Sequence, residues 1–336
     1  MIKSDAMKKL SRLSYMSRVQ WILVSIALIL TLSLGACGDD GFDTKSVLKT
    51  YRVLAIKSEP PALTLSEPTE ITLYDFHPED LKSTGRPTVE YEWTLCPFSL
   101  GSVTQYECIF DEVSLDSLVQ NIMASDNDSD DDDTMGRRPR PSSTLKMTAT
   151  DLLDLLGDDL QMQMEQLEMG ADMLGSEMSF FDAGQINLFI KLKVNVDNEP
   201  DFTAVKVIPL ILSADLEVNQ NPVLMGMYSE QLVPEVQVAE EVKLEALFSD
   251  SVAEVYTPPL SAEAEAQNQE ATQETENLLF SWYTTSGTFD KPVRLAEDTS
   301  TLLTVGEDIG PQRLYLTLRD GRGGVDLRVI DFKVAP

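Results

Sequence analysis

The acidic run at residues 126–133 carries the residue types that bind a hard cation. Its first, third and fifth places are aspartates, as in the calcium-binding loop of an EF-hand. The sixth place is Asp131 where that loop needs glycine, and the twelfth is Arg137 where it needs glutamate. Loose ion binding by a solvated linker is the favoured interpretation, and a specific Ca²⁺ site is the alternative. The ligands of that site would be Asp126, Asp128, Asp130 and Asp132.

The chain has one histidine, His77, on which any catalytic triad with a histidine base would depend. His77 precedes Pro78 at the end of a predicted strand, which indicates a surface turn rather than a catalytic base. Carboxylate pairs carry little information, because 56 acidic residues produce such pairs by chance. We therefore expect no enzymatic activity.

Apolar residues recur at helical spacing from Leu152 to Leu174, with aspartate and glutamine between them. The spacing predicts an amphipathic helix over about 150–175, beginning near Thr148. Packing of the apolar stripe against the protein's own core is the favoured interpretation. Because methionine adapts to irregular surfaces, docking of a partner on this face is the alternative. The partner-binding residues would be Met162, Met164 and Leu167.

Residues 1–36 have the pattern of an export signal, which would form an N-terminal signal helix. A basic segment precedes the apolar stretch Trp21–Leu34, and small residues follow it. The stretch has the length of a signal-peptide core and is shorter than the roughly 20 residues of a membrane-spanning helix. The residues at its end are Leu34, Gly35, Ala36 and Cys37.

These four residues resemble the lipobox of bacterial lipoproteins. The resemblance implies cleavage before Cys37 and acylation, including palmitate, of its sulfur and new amino group, which anchors the mature chain to a membrane. Gly38 stands where aspartate would retain such a protein in the inner membrane, so the outer membrane is expected. Met16 would also make a complete start of the chain, and residues 37–50 are predicted to be a polar tether.

Two cysteines remain once Cys37 is assigned to the lipid, namely Cys96 and Cys108. In an oxidising envelope they most simply pair, and closing so short a loop stabilises by about 3 kcal/mol in the chain-entropy model. Two buried free thiols are the alternative.

The chain is strongly acidic, with 26 basic residues, 56 acidic residues and a formal net charge of −30. Such a chain repels the phosphates of nucleic acids, so we expect no nucleic-acid partner. The lipid anchor makes the membrane a partner, and a protein or glycan of the envelope is the other expected class. No cofactor is expected besides the Ca²⁺ considered above.

Alternating apolar and polar residues predict strands along most of the chain after residue 50. The pattern of the first part recurs in the last third, where Val242–Phe248 corresponds to Thr69–Tyr74 and Trp282 to Trp93. A hairpin is predicted across Asp320–Gly324, since glycines supply the positive φ of a tight turn. The sequence therefore predicts two copies of one β unit.

This arrangement resembles the immunoglobulin-like and PKD-like modules of bacterial envelope lipoproteins. The resemblance implies an all-β fold of two Ig-like antiparallel β-sandwiches in tandem. The first would span 51–216, with an insertion at 111–179 that holds the acidic run and the helix. The second would span 217–336, with a flexible acidic loop at 261–276.

We therefore expect a non-enzymatic outer-membrane lipoprotein that acts as a binding, spacer or assembly module of the cell envelope. Its contacts would come from the sandwich loops and the insertion, because sheets supply a scaffold and loops carry recognition. One alternative is a calcium-dependent, adhesin-like surface protein. Another is a glycan or peptide hydrolase, which would need two facing carboxylates in a deep pocket.

Overall fold

Alternation of apolar and polar residues produces strand β9, Gln185–Val196. Its even-numbered side chains from Ile186 to Val196 are buried, whereas Asn187 and Lys193 are exposed. Period-two alternation gives a strand one buried and one open face. The same alternation recurs in the second sandwich, over Glu241–Phe248.

The structure is a computed structural model. No helix within its described residues is both long and apolar enough to cross a membrane. Unit Met1–Thr44 lies outside the description, and the unit Lys45–Pro336 contains everything described below. The structure describes residues 45–82, 89–99, 101–120, 136–139, 141–157, 181–182, 184–197, 201–213, 216–229, 235–249, 251–258 and 272–336.

The first sandwich contains one α-helix, α1 (Ala149–Leu156), and three 3-10 turns at Pro78–Leu81, Gly101–Thr104 and Asp116–Leu118. Its strands besides β9 are β1 (Arg52–Glu59), β2 (Leu63–Thr64), β3 (Thr69–Phe76), β4 (Val89–Cys96), β5 (Val113–Ser114), β6 (Val119–Gln120), β7 (Ser143–Met147), β8 (Phe181–Asp182) and β10 (Phe202–Ile211).

The second sandwich is built from strands alone within its described residues. These strands are β11 (Leu224–Tyr228), β12 (Glu235–Gln237), β13 (Glu241–Phe248), β14 (Val255–Tyr256), β15 (Glu274–Thr275), β16 (Leu279–Thr284), β17 (Thr288–Phe289), β18 (Val293–Leu295), β19 (Ser300–Thr304), β20 (Gly310–Arg319) and β21 (Val325–Ala335).

Both sandwiches have the same strand order in space. The first has sheets β1-β3-β7-β6 and β2-β10-β9-β4-β5, and the second has β11-β13-β19-β17 and β12-β21-β20-β16-β18. In the immunoglobulin arrangement, a four-stranded sheet faces a second sheet that is built on three central strands. Both sandwiches follow this arrangement. The predicted all-β fold of two Ig-like sandwiches is therefore confirmed. The copies differ at the edges. Strand β17 takes the place of β6 and β18 the place of β5, so the two edge strands follow each other in the opposite order along the chain.

The two tryptophans occupy equivalent places, as the internal repeat predicts. Trp93 of β4 is paired with Leu192, Trp282 of β16 is paired with Leu316, and neither indole is exposed. Trp93 donates its indole N–H to Ser143 Oγ at 3.1 Å. Each tryptophan belongs to the hydrophobic core of its own sandwich.

The prediction of an insertion over 111–179 is wrong at three short stretches, which are strands of the sandwich itself. Strands β5, β6 and β7 lie within that range, and β7 occupies an inner position of the first sheet. Leu145 and Met147 of β7 are fully buried in the core. The strand escapes sequence analysis because it has only five residues and is flanked by charged and proline-rich segments.

Helix α1 begins where the sequence predicts. Thr148 accepts a hydrogen bond from the backbone N–H of Asp151, whose carboxylate accepts one in return from the backbone N–H of Thr148, so the two close a capping box. Leu152 and Leu156 pack into the core of the first sandwich. The remainder of the predicted helix at 150–175 lies outside the described residues.

Candidate binding site at the junction of the two sandwiches

The outer faces of two sheets meet between the sandwiches. Leu54 and Phe76 of the first sandwich pack with Tyr315 and Val329 of the second, and Leu48 completes this cluster. The Phe76 and Tyr315 rings meet edge to face, with 6.1 Å between centroids. A second cluster joins Ala55 and Tyr74 to Val325 and Leu327. Strand β21 is consequently buried on both faces over much of its length.

Polar contacts cross the same junction. Lys57 Nζ lies 3.5 Å from Asp326 Oδ1, and their side chains are only 10% and 2% exposed. Arg319 Nη2 donates to the carbonyl of Leu54 at 3.0 Å. Asn221 Nδ2 donates to the carbonyl of Ser58 at 2.7 Å, while Asn221 Oδ1 accepts from the backbone N–H of Val325 at 2.9 Å. Hydrogen bonds of this kind fix the register of one sandwich on the other.

The end of the predicted tether, residues 45–50, is attached to the second sandwich. The backbone N–H of Leu48 donates to Thr284 at 2.7 Å, and that of Thr284 donates to Ser46 at 2.9 Å. Lys49 Nζ also pairs with Asp308 at 2.5 Å. The tether prediction is wrong for these residues, because Leu48 supplies an apolar side chain to the junction cluster and is only 3% exposed. Residues 37–44 lie outside the description.

Residues 136–139 lie along β21 at Val329, where β12 does not pair with it. The backbone groups of Arg137 and Val329 exchange two hydrogen bonds, of 2.9 and 2.8 Å. Asp331 accepts from Arg137 Nη2 at 2.8 Å and from Arg313 Nε at 2.7 Å. Burial by itself raises the pKa of Asp331, but the two arginines outweigh it and hold that pKa below its ordinary value. The part of β21 that β12 leaves unpaired thereby gains a partner.

A cleft of about 510 Å³ opens at one margin of this junction. Its walls come from β9 and β10, the chain that leaves β10, the turn between β20 and β21, and Tyr256 of β14. A neighbouring cleft of about 320 Å³ shares Lys206 and the glycines of that turn. Both volumes fall within or near the range of small-molecule sites.

Lys206 lies between the two clefts and is only 8% exposed. Its ammonium donates to the carbonyl of Gly323, in the turn of the other sandwich. Burial lowers the pKa of Lys206 to about 8, against the opposing charge of Asp320. A buried cation with a lowered pKa in a cleft is typical of functional sites.

Asp320 organises the turn that faces Lys206. Its carboxylate accepts from the backbone N–H groups of Arg322 and Gly324 at 2.7 and 2.9 Å, and from Asn219 Nδ2 at 2.9 Å. Asn219 is 5% exposed and lines the larger cleft. Its Oδ1 atom has no hydrogen-bond partner among the described residues. Such a buried acceptor is costly unless something supplies a donor.

Arg322 forms the outer wall of the cleft. Its guanidinium lies 4.0 Å from the centre of the Tyr256 ring and pairs with Glu276 at 3.1 Å and Glu254 at 3.4 Å. Burial raises the pKa of Glu276, while the hydrogen bond from the backbone N–H of Glu254 and the charge of Arg322 oppose that shift. The prediction of a flexible loop over 261–276 is therefore wrong at its last residue, because Arg322 holds Glu276 in place. Residues 261–271 lie outside the description.

A second polar cluster is enclosed in the first sandwich. Asp75 accepts hydrogen bonds from Tyr51 Oη at 2.5 Å, Tyr91 Oη at 2.6 Å and Ser142 Oγ. Burial and the adjacent carboxylate raise the pKa of Tyr51. His77 is also buried, with its Nδ1 accepting from the backbone of the following turn, so the expected surface location is wrong. The cluster borders neither cleft and stabilises the fold.

Cys96 and Cys108 form the predicted disulfide, with 5.7 Å between their Cα atoms. The other predicted sites lie outside the described residues, and the structure leaves them as predictions. These are the lipidated Cys37, the candidate calcium ligands Asp126, Asp128, Asp130 and Asp132, and the partner-binding residues Met162, Met164 and Leu167.

The described residues contain no group of three or more histidine, cysteine or acidic side chains placed to hold a metal ion. Among the described residues that line the larger cleft, the only carboxylate is that of Glu217, and none lines the smaller one. The paired carboxylates that a hydrolase would need are therefore not found in these two clefts. Sequence analysis did not predict the two clefts, because the residues that line them come from distant parts of the chain.

No model of a known protein family matches the chain, and no curated protein sequence is detectably similar to it. Solved structures with a similar arrangement include the D0-D1 domain of Intimin, at 7% identity and TM-score 0.19 over 84% of this chain and 98% of that one. Fibronectin(III)-like modules of Clostridium thermocellum CbhA match at 10% identity and TM-score 0.23, over 85% and 94%. The Yersinia pseudotuberculosis adhesin InvE matches at 12% identity and TM-score 0.20, over 83% and 58%. The strand orders, and not these similarities, establish the fold.

Proposed function

We propose that this protein is a lipid-anchored, non-enzymatic module of the cell envelope that presents its two sandwiches as one rigid body for binding, spacing or assembly. The observation that carries the proposal is the junction, where two apolar clusters and the buried Lys57–Asp326 pair join the sandwiches. Domains of one chain move relative to each other by default unless their interface is large and hydrophobic. The two apolar clusters and the buried ion pair at this junction support a fixed arrangement of the sandwiches.

The anchor of the proposed module is Cys37 in the outer membrane. Between Cys37 and Lys45 the chain can extend over at most about 29 Å, since each residue spans about 3.6 Å. Residues 46–49 are attached to the second sandwich, so the junction itself receives the anchored end of the body. The partner is a protein or glycan of the envelope.

Metabolic labelling with a palmitate analogue tests the anchor. We expect label and membrane association in the wild-type chain expressed from its native gene, and loss of both in Cys37→Ala. Cys108→Ala serves as the matched cysteine control and should keep the label, because Cys108 is paired in a disulfide. Label that persists in Cys37→Ala, or a soluble wild-type product, would refute the proposed anchor.

A further inference from the structure

Two cations from opposite sandwiches border the smaller cleft, whose volume is about 320 Å³. Lys206 of β10 donates to the carbonyl of Gly323 in the second sandwich. Arg319 of β20 donates in the other direction, to the carbonyl of Leu54 in the first sandwich at 3.0 Å. Each long side chain therefore reaches across the junction to a backbone carbonyl, and the cleft is walled by both sandwiches.

Neither of these two cations forms an ion pair with a carboxylate of the described residues. Elsewhere in the same junction the cation of Lys57 does have such a partner, because it lies 3.5 Å from Asp326. A positive charge that is removed from water costs free energy unless an opposite charge or enough hydrogen bonds compensate it. In a chain with a formal net charge of −30, two cations at one cleft without a carboxylate are an exception.

The adjacent carboxylate of Asp320 is already engaged in its own turn. It is 1% exposed and accepts hydrogen bonds from two backbone N–H groups of that turn and from Asn219. Burial is the main cause that lowers the pKa of Lys206 to about 8, which Asp320 opposes and the charge of Arg319 reinforces. The two cations therefore repel each other, and an anion in the cleft would relieve that repulsion.

The rest of the lining favours an anion that carries an apolar group. No carboxylate of the described residues borders this cleft, whereas the partly exposed Val53, Ala204 and Val205 do. Ammonium and guanidinium groups bind carboxylates through charge-assisted hydrogen bonds. The acidic body of the protein repels a singly charged carboxylate less than a doubly charged phosphate. Charge and lining together indicate a monoanion with a small aliphatic body.

We propose that the smaller cleft binds a carboxylate carried by a small aliphatic group, for which Lys206 and Arg319 supply the positive charge and the three aliphatic residues the apolar wall. A free aliphatic acid and the C-terminal carboxylate of an apolar peptide share this chemistry. The site rests on the junction of the proposed function, because the cleft exists only where the two sandwiches dock. Bound carboxylate should in turn stabilise the docked arrangement.

Saturation-transfer difference NMR on the full chain carrying Cys37→Ala tests the site. The probe is isovalerate, and its neutral amide, isovaleramide, is the matched control ligand. We expect saturable transfer from isovalerate, and affinity for the amide weaker by about tenfold or more because it lacks the charge. Absence of saturable transfer from isovalerate, or equal affinity for acid and amide, would overturn the proposal. N-acetyl-alanyl-valine distinguishes the sources, since tighter binding than isovalerate identifies a chain terminus and weaker binding a free acid.

Two variants locate the binding. Lys206→Met and Arg319→Gln should each weaken isovalerate binding by about tenfold or more, while Lys146→Met, at an exposed lysine of the first sandwich, should leave it unchanged. Thermal unfolding of each variant shows whether the fold is kept, and full affinity in the folded variants would overturn the proposal.

The distance between spin labels on the two sandwiches separates failure of this site from failure of the junction. If that distance has a single narrow distribution and isovalerate does not bind, the carboxylate site alone is refuted. A broad distribution would refute the docked arrangement, and with it the site.

Discussion

Lys57 Nζ in the first sandwich lies 3.5 Å from Asp326 Oδ1 in the second, and both side chains are almost completely buried. The same carboxylate accepts the backbone N–H of Leu224 at 3.0 Å, from the other sheet of the second sandwich. Asp326 therefore joins three sheets at one point. The pair supports the proposed single arrangement of the two sandwiches, and its charges allow that arrangement to be tested.

Removal of the carboxylate should leave a buried lysine without this partner. We expect Asp326→Ala to lower the free energy of unfolding by about 3 kcal/mol, and the double variant Lys57→Met/Asp326→Ala to recover part of the loss. Urea unfolding measures both. Lys333→Ala breaks an exposed pair with Glu235 and should cost less than about 1 kcal/mol. Equal effects of the buried and exposed substitutions would contradict the role of the pair.

Acid should weaken the ion pairs that Asp331 of β21 forms with Arg137 and Arg313. The pKa of Asp331 is lowered in the folded protein, so its stabilising contribution is present above the ordinary value of 3.8 and is lost as the pH falls through the folded pKa. Asp331→Asn should therefore be less stable than wild type at pH 6, by less than about 1 kcal/mol because the side chain is half exposed. The difference should shrink below pH 3.8, and a constant difference would argue against this ion pair.

Lys206 should have the opposite pH dependence. Its pKa is about 8 when folded and 10.5 ordinarily, so the folded state holds fewer protons than the unfolded state between these values. Wild-type stability therefore rises over this window. Lys206→Met should be more stable than wild type at pH 7, by an amount on the order of 1–3 kcal/mol, and this advantage should decrease toward pH 10.5. Thermal unfolding across pH checks it, and Lys146→Met should show no such trend.

Sequence analysis could predict what each strand does within its own sandwich. The alternation in β9 and the paired tryptophans, Trp93 and Trp282, locate both cores. It could not predict β7, whose five residues resemble the polar segments around them. One signal was overlooked: Val325, Leu327 and Val329 put three apolar side chains on the outer face of β21, which indicates that another surface covers it.

The binding cleft could not be predicted, because its groups are far apart in the sequence. Lys206 in β10 resembles an ordinary outward-facing strand lysine until the turn at Gly323 covers it. Asn219 lies in a segment without strand periodicity, and its contact with Asp320 spans 101 positions. Burial of these groups depends on the docking of the two sandwiches, which local pattern does not encode.

The central claim is that the two sandwiches form one rigid body, and a distance distribution between spin labels tests it most directly. Labels at Lys146→Cys and Glu245→Cys, both exposed positions, would report on the first and second sandwich in a chain carrying Cys37→Ala. We predict a single narrow distribution, which should broaden when Leu54→Asp and Val329→Asp disrupt the junction. A broad or two-peaked distribution without those substitutions would contradict the rigid body.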